Sequence, residues 1–154
     1  MLASSTPKNN QVMSELSLLS RIAQTPHGAK LGLELISAGK TTVTLKLPFK
    51  KDIIGDPIKQ LVHSGAVTSL IDTACGAAIF HTQQSMHSMA TLDLRVEHLM
   101  AAETGRDIFA LADCYHLTHT IAFVRVTAYT DEIEKPIATA TATFMRSSKK
   151  FPIQ

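Results

Sequence analysis

The residues best suited to chemistry lie between positions 61 and 80, in the stretch LVHSGAVTSLIDTACGAAIF. His63, Ser64 and Gly65 stand immediately before an apolar run with helical periodicity, and Asp72 is the one acid inside that run. The start of a helix has unpaired backbone N–H groups and the positive end of the helix dipole, which together attract an anionic oxygen. A carboxylate within the helix is a candidate general base.

Two plainer interpretations of these residues stay open at this point. Ser64 could act only as an N-cap, with His63 in a loop, and Asp72 could be a solvated surface acid. A nucleophilic Ser64 activated by His63 is a weaker hypothesis, because adjacent side chains diverge and no Gly-x-Ser-x-Gly turn is present.

The spacing of Ser64 and Asp72 limits how they can work together. Asp72 is eight residues beyond Ser64, which is roughly 12 Å along one helix. Acid–base chemistry on a carbonyl needs the base and the oxyanion donor within hydrogen-bond reach of one small group. A single shared site therefore requires a two-fold dimer, in which antiparallel neighbouring helices bring the start of one near the middle of the other.

A third polar set occurs in ATLDLRVEHL. Strand alternation predicts that Thr91, Asp93, Arg95 and Glu97 share one face, opposite the leucines and Val96. Thr91 could orient a water and Arg95 could bind a phosphate; equally, this face could contact only solvent or a second subunit.

The remaining histidines do not suggest a metal site. His81, His87, His116 and His119 are scattered without metal-ligand spacing, so no metal is predicted. His119 and Thr120 begin a strand and could contact the amides of a ligand, although a turn is the simpler role.

Composition excludes several classes of partner. The net charge is +2 with 18% charged residues, which gives no electrostatic footprint for nucleic acid. Cys75 and Cys114 both have apolar surroundings, which predicts buried free thiols and a reducing cytoplasm. The opening MLASSTPKNNQ does not have the apolar core of a signal peptide, and no apolar run is long enough to span a membrane. We expect a soluble cytoplasmic protein with no membrane partner.

The 154 residues are predicted to form one domain over 12–150, preceded by a flexible tail over 1–11. An amphipathic helix runs from Val12 to Ala23 and is ended by TPHG; a half-buried strand runs from Lys40 to Pro48. A long connection with a turn at Gly55-Asp56-Pro57 leads to the central helix, which starts at Ser64.

Alternating patterns after the central helix predict four further strands, over 90–99, 108–117, 120–129 and 137–145. Short polar turns between them favour an antiparallel meander. The expected fold class is α+β, with one antiparallel sheet covered by one principal helix.

The stretch LVHSGAVTSLIDTACGAA resembles the HGG-x7-D/E helix signature of the hot-dog-fold acyl-CoA thioesterases, which include phenylacetate-pathway and medium-chain or long-chain enzymes. The similarity extends from about Leu31 to Phe144. It implies a sheet wrapped around the central helix and a homo-oligomer, either a dimer or a dimer of dimers. It also implies hydrolysis of an acyl-CoA, with no cofactor apart from the coenzyme A of the substrate.

The resemblance assigns roles residue by residue. It implies that Asp72 is the general base or nucleophile, that the Ser64 N–H of the partner chain polarises the thioester carbonyl, and that Thr91 positions a water. Ser64 departs from the first Gly of the signature and adds a side chain near the oxyanion pocket. Many members have Asn or Gln where this chain has Asp56, so either Gln60 takes that role or the activity is reduced.

Two alternatives stay open, and the departures at Ser64 and Asp56 favour the first. The first is a module of the same fold that binds acyl-CoA without chemistry. The second is an enoyl-thioester hydratase or dehydratase, for which His63 is the only evident catalytic histidine.

Overall fold

The computed structural model describes residues 19–83 and 87–150 and has a helix packed on a curved antiparallel sheet. Residues 19–23 are helical, α1 spans Pro26–Leu31 and the long α2 spans Ser64–Gln83. A short 3-10 helix spans Lys51–Ile53. The strands are β1 Glu34–Ala38, β2 Thr42–Leu47, β3 Ile54–Asp56, β4 Leu61–Val62, β5 His87–His98, β6 Ile108–Leu117, β7 Ile121–Tyr129 and β8 Ala138–Lys150.

Six strands form one antiparallel sheet in the order β1-β2-β6-β7-β8-β5, and β3 and β4 form a separate two-stranded sheet. The 20-residue α2 packs across one face of the large sheet, against β2, β5, β6 and β7. This arrangement is the hot-dog fold, so the predicted α+β class and the central helix are confirmed.

The sequence explains why helix and sheet pack closely. The apolar stripe of α2 is buried as predicted: Val67, Leu70, Ile71, Ala74 and Ala78. The sheet residues facing it are buried too, and on β6, β7 and β8 most of them are alanines. Small side chains on the sheet let the larger residues of the helix fill the space between the two layers.

The predicted four-strand meander is wrong for one strand. β6, β7 and β8 follow one another in the sheet, but β5 lies at its far edge and pairs with β8. The connection over 99–107 therefore crosses the end of the sheet instead of making a hairpin to β6. Alternation of side chains identifies a strand but does not determine which strand it pairs with.

Five elements were absent from the prediction, among them the 3-10 helix over Lys51–Ile53. β1 has no alternating burial, and β3 and β4 are too short for a periodic signal. TPHG does end the first helical segment, yet Pro26 also begins α1, with Thr25 as its cap. The predicted tail over 1–11 and the start of the first helix lie outside the described residues.

Cys75 and Cys114 are free and buried, as predicted. Within the described part of the chain, no helix combines the length and the apolar character needed to cross a bilayer.

Candidate active site

The start of α2 is fixed by the small sheet before it. The backbone N–H of His63 donates to the carbonyl of Ile53 at 2.8 Å. Gly55 on β3 packs directly on His63, since a β-carbon at position 55 would lie 2.7 Å from the His63 Cα. The predicted turn at Asp56 is present, and it holds this segment against the helix start.

The cap of α2 is His63, so the interpretation of Ser64 as the N-cap is wrong. The Gly65 N–H donates to His63 Nδ1 at 2.9 Å, and Ser64 is the first residue of the helix. Position 65 must be glycine for this contact, because a β-carbon there would lie 2.8 Å from Nδ1. Because Nδ1 accepts a hydrogen bond, the proton of the neutral ring is on Nε2.

The cap leaves the Ser64 N–H as the available donor at the helix start. Over residues 19–83 and 87–150, no group accepts a hydrogen bond from this N–H. Gly65 N–H is taken by His63 and Ala66 N–H by the His63 carbonyl. An unpaired N–H with the helix dipole behind it is suited to an oxyanion.

A cavity of about 470 Å³ opens beside Ser64. Its polar wall contains Asp56, His63, Ser64 and His98. Its apolar lining includes Val67, Met100 and Ile137. A ligand with one polar reacting group and an apolar extension fits such a cavity.

The second polar feature is a contact between α2 and β5. The Thr91 hydroxyl donates to Asp72 Oδ1 at 3.0 Å. Asp72 is half-buried and Thr91 is exposed, so the carboxylate is oriented by protein and still open on one side. Cys75 follows Asp72 by three residues on the same helix. Burial raises the pKa of its thiol, and the charge of Asp72 raises this pKa further. Cys75 is therefore a neutral neighbour and not a nucleophile.

A β-bulge corrects the predicted face of Thr91. Thr91 pairs with Phe144 and Asp93 pairs with Thr143, so Leu92 is an extra residue between them. Thr91 therefore shares the face of buried Phe144, toward α2, whereas Asp93, Arg95 and Glu97 lie on the outer face with the threonines of β8. Strict alternation would have turned Thr91 away from Asp72.

Within one chain the two features remain apart. Asp72 and Thr91 are not among the residues that line the cavity at Ser64. Their separation along α2 is eight residues, or roughly 12 Å. One protomer thus contains an oriented carboxylate and an oxyanion donor, each without the other.

The side chains of Asp56 and Gln60 both form hydrogen bonds, mainly within the turn that contains them. Asp56 Oδ1 accepts from the N–H groups of Ile58 at 3.0 Å and Lys59 at 2.9 Å. Gln60 has a positive φ of 55° and accepts a hydrogen bond from the Thr104 hydroxyl. Its amide nitrogen donates to the Pro57 carbonyl. Asp56 lines the cavity, and Gln60 does not.

The other predicted ligand contacts lie elsewhere on the protomer. Arg95 forms an ion pair with Glu97 on the outer face of the sheet. His119 and Thr120 form the turn between β6 and β7, which Thr118 closes by donating to the Ile121 carbonyl. The part of the chain that the structure describes holds no group of three or more potential metal ligands.

Sequence reasoning missed the wall of the cavity formed by residues 98–102 and Ile137. Apart from His98, these residues are apolar and carry no motif. They reach the helix start only because β5 lies at the edge of the sheet and its connection crosses back over the sheet end. A correct strand order would have been needed to find them.

Comparisons with known proteins agree with the hot-dog fold. A family model described as "Thioesterase superfamily" matches residues 59–137. The chain belongs to the thioesterase superfamily.

Individual relatives add detail. The medium/long-chain acyl-CoA thioesterase YigI of Escherichia coli is 26% identical, over 78% of this chain and 84% of its own. A crystal structure of a Pseudomonas aeruginosa protein is 35% identical with a TM-score of 0.78, covering 86% of this chain and 99% of that one. The E. coli PaaI protein from the phenylacetic acid degradation operon has a TM-score of 0.77 at 15% identity, covering 92% of this chain and 96% of that one, and shows the fold alone.

Proposed function

We propose that this protein hydrolyses acyl-CoA thioesters to a free acid and coenzyme A. The observation that carries the proposal is the carboxylate of Asp72, held by Thr91 at 3.0 Å on the same helix that begins with a free Ser64 N–H. Membership of the thioesterase superfamily and the named activity of the relative YigI support it. Coenzyme A enters only as part of the substrate, and the mechanism needs no other cofactor.

In the proposed reaction, the thioester oxygen binds at the Ser64 N–H. Asp72 accepts a proton from a water oriented with the help of Thr91, and the water oxygen forms the new bond to the carbonyl carbon. The negative charge that develops on the carbonyl oxygen is stabilised by the N–H and the helix dipole. The C–S bond then breaks, and the sulfur of coenzyme A receives the proton. Direct attack by the carboxylate is the alternative role of Asp72.

The reaction requires two chains, and β5 offers the surface for the second. It is a 12-residue edge strand that, within residues 19–83 and 87–150, pairs only with β8. A long unpaired edge is a template for another strand. Antiparallel pairing of two β5 edges about a two-fold axis at Leu94 would bring Thr91 of one chain close to the partner subunit's His98.

That register would complete the site. His98 lines the cavity beside Ser64, and Thr91 binds Asp72. Placing Thr91 close to the partner's His98 would therefore carry Asp72 toward the Ser64 N–H of the other chain. We propose a homodimer with two such shared sites; further pairing to a tetramer would use other surfaces.

The direct test is release of free thiol from a panel of acyl-CoAs by the purified protein, compared with Asp72→Asn. This substitution keeps the size of the side chain and removes the basic oxygen, so we expect turnover to fall about 10²–10⁴-fold. Full turnover by Asp72→Asn would contradict the role of Asp72. Binding of acyl-CoA without thiol release would favour a binding module, and hydration of an enoyl-CoA would favour a hydratase.

Further substrate contacts are proposed from the residues that line the cavity. Asp56 and His98 line the cavity and are proposed to contact the substrate near its thioester. Four of the residues predicted to contact coenzyme A do not line this cavity: Gln60, Arg95, His119 and Thr120. They could contact coenzyme A only when it is bound at the site of a neighbouring subunit. The two free thiols fit a cytoplasmic location, which we also propose.

A further inference from the structure

The cavity beside Ser64 shares a wall with a second cavity. The second cavity has a volume of about 320 Å³ and also contacts Glu103, Arg106 and Thr130. Four residues line both cavities: Met100, Ala101, Ala102 and Ile137. Of these four wall residues, Ala102 and Ile137 are buried, with 6% and 4% of their surface exposed.

The backbone of this wall is held firmly. The Ala102 carbonyl accepts from the Val62 N–H at 2.9 Å. The Ile137 carbonyl accepts from the N–H groups of Leu99 at 2.9 Å and Met100 at 3.1 Å, and Ile137 N–H donates to Ala128 at 2.8 Å. With the main chain fixed on both sides, the size of the two side chains determines how far the first cavity extends.

The lining of the first cavity is both polar and apolar. Ser64, His63 and Asp56 supply its polar groups, and its apolar residues include Val67, Met100 and Ile137. A thioester with its carbonyl oxygen at the Ser64 N–H would gain most by burying its acyl carbons against these apolar side chains. The polar coenzyme A portion would then lie toward solvent.

We propose that the acyl chain occupies this cavity and that Ile137 and Ala102 set the acyl length that the enzyme prefers. This inference rests on the proposed thioesterase function and adds the residues that determine its specificity. Ile137 and the small Ala102 line both cavities, so their side chains set where the acyl site ends. The length limit is therefore a property of two side chains and not of the backbone.

Two substitutions test this with opposite expected results. Ile137→Ala removes the larger part of the wall and connects the two cavities, so longer chains gain room. Ala102→Leu adds volume to the wall, so longer chains lose it. The measured quantity is the ratio of kcat/KM for hexadecanoyl-CoA to kcat/KM for butanoyl-CoA. We expect Ile137→Ala to raise this ratio about tenfold and Ala102→Leu to lower it about tenfold.

Ile108→Ala is the matched control. Ile108 is a fully buried isoleucine on β6 that lies outside the walls of both cavities. Its loss weakens the core in a similar way, but it should leave the ratio at the parental value. Partial unfolding of a variant lowers kcat/KM for both substrates alike, so the ratio can still be compared. Ala102→Leu tests the inference without creating a cavity.

The inference and the proposed function fail in different ways. If the parent protein hydrolyses acyl-CoAs but neither variant changes the ratio, or both change it in the same direction, the specificity role is wrong and the function stands. If the parent hydrolyses none of the acyl-CoAs, the function and the inference built on it both fall.

Discussion

At the residue scale, the proposed site depends on a small number of oriented polar groups. The Thr91 hydroxyl contacts Asp72, and the His63 ring contacts the helix start. Family resemblance predicted the roles of Asp72 and Thr91 from sequence. It did not predict the cap, because histidine is an unusual N-cap and the pattern alone favours Ser64.

Thr91 is expected to matter through its hydroxyl group. Thr91→Val keeps the branched shape and removes the hydrogen bond to Asp72, so we expect kcat for acyl-CoA hydrolysis to fall about tenfold. Thr91→Ser retains the hydroxyl and should stay within about threefold of the parent. Steady-state kinetics of the two variants measure this, and a fully active Thr91→Val would exclude the contact from the mechanism.

The buried thiol of Cys75 predicts a loss of stability in alkaline solution. Burial raises its pKa above the ordinary value of 9.0, so above that pH the unfolded chain releases a proton that the folded chain keeps. The free energy of unfolding should then fall with pH by about 1.4 kcal/mol per unit for this thiol. Urea unfolding at several pH values should show a shallower fall for Cys75→Ala. Equal slopes for the two proteins would argue against a buried neutral thiol.

At the element scale, local geometry accounts for both successes and errors of the sequence analysis. The apolar stripe of α2 and its start at Ser64 follow from periodicity and were predicted. The bulge at Leu92 and the edge position of β5 depend on partners that are distant in sequence. A period of two carries no information about either, so the predicted face of Thr91 was wrong.

Two glycines of α2 offer a matched test of the His63 cap. Gly65→Ala introduces a β-carbon 2.8 Å from His63 Nδ1, whereas a β-carbon at Gly76 meets nothing within 4 Å in the protomer. Loss of the cap should lower the free energy of unfolding by about 1–2 kcal/mol in Gly65→Ala. Gly76→Ala should be at least as stable as the parent, because alanine favours the helix.

Urea unfolding at equal protein concentration compares the two variants. If Gly65→Ala proves as stable as Gly76→Ala, the cap does not hold the helix start. The expected difference between them would show that position 65 is glycine because of His63 and not because of helix packing in general.

At the scale of the whole molecule, the central claim is that two chains build each site. One protomer has its oxyanion donor and its carboxylate roughly 12 Å apart along α2, too far to act on one carbonyl. The free edge of β5 gives a way to bring the two groups together from different chains. The need for a second chain could be predicted from the sequence, because the spacing of Ser64 and Asp72 requires one if both groups act on the same carbonyl.

Complementation between two inactive variants tests that claim most directly. Asp72→Asn removes the base. Ser64→Pro removes the backbone N–H at position 64, and proline is tolerated at the first position of a helix. Ser64→Ala keeps the N–H and is the control that should remain active. Each variant alone should be nearly inactive.

The measurement is thiol release after the two inactive variants are unfolded together and refolded as a mixture. A shared site predicts that half of the mixed population forms heterodimers, each with one intact site, which restores about a quarter of the parental rate. Parental protein taken through the same treatment gives the reference rate. If the mixture is no more active than either variant alone, the base and the oxyanion donor do not come from different chains.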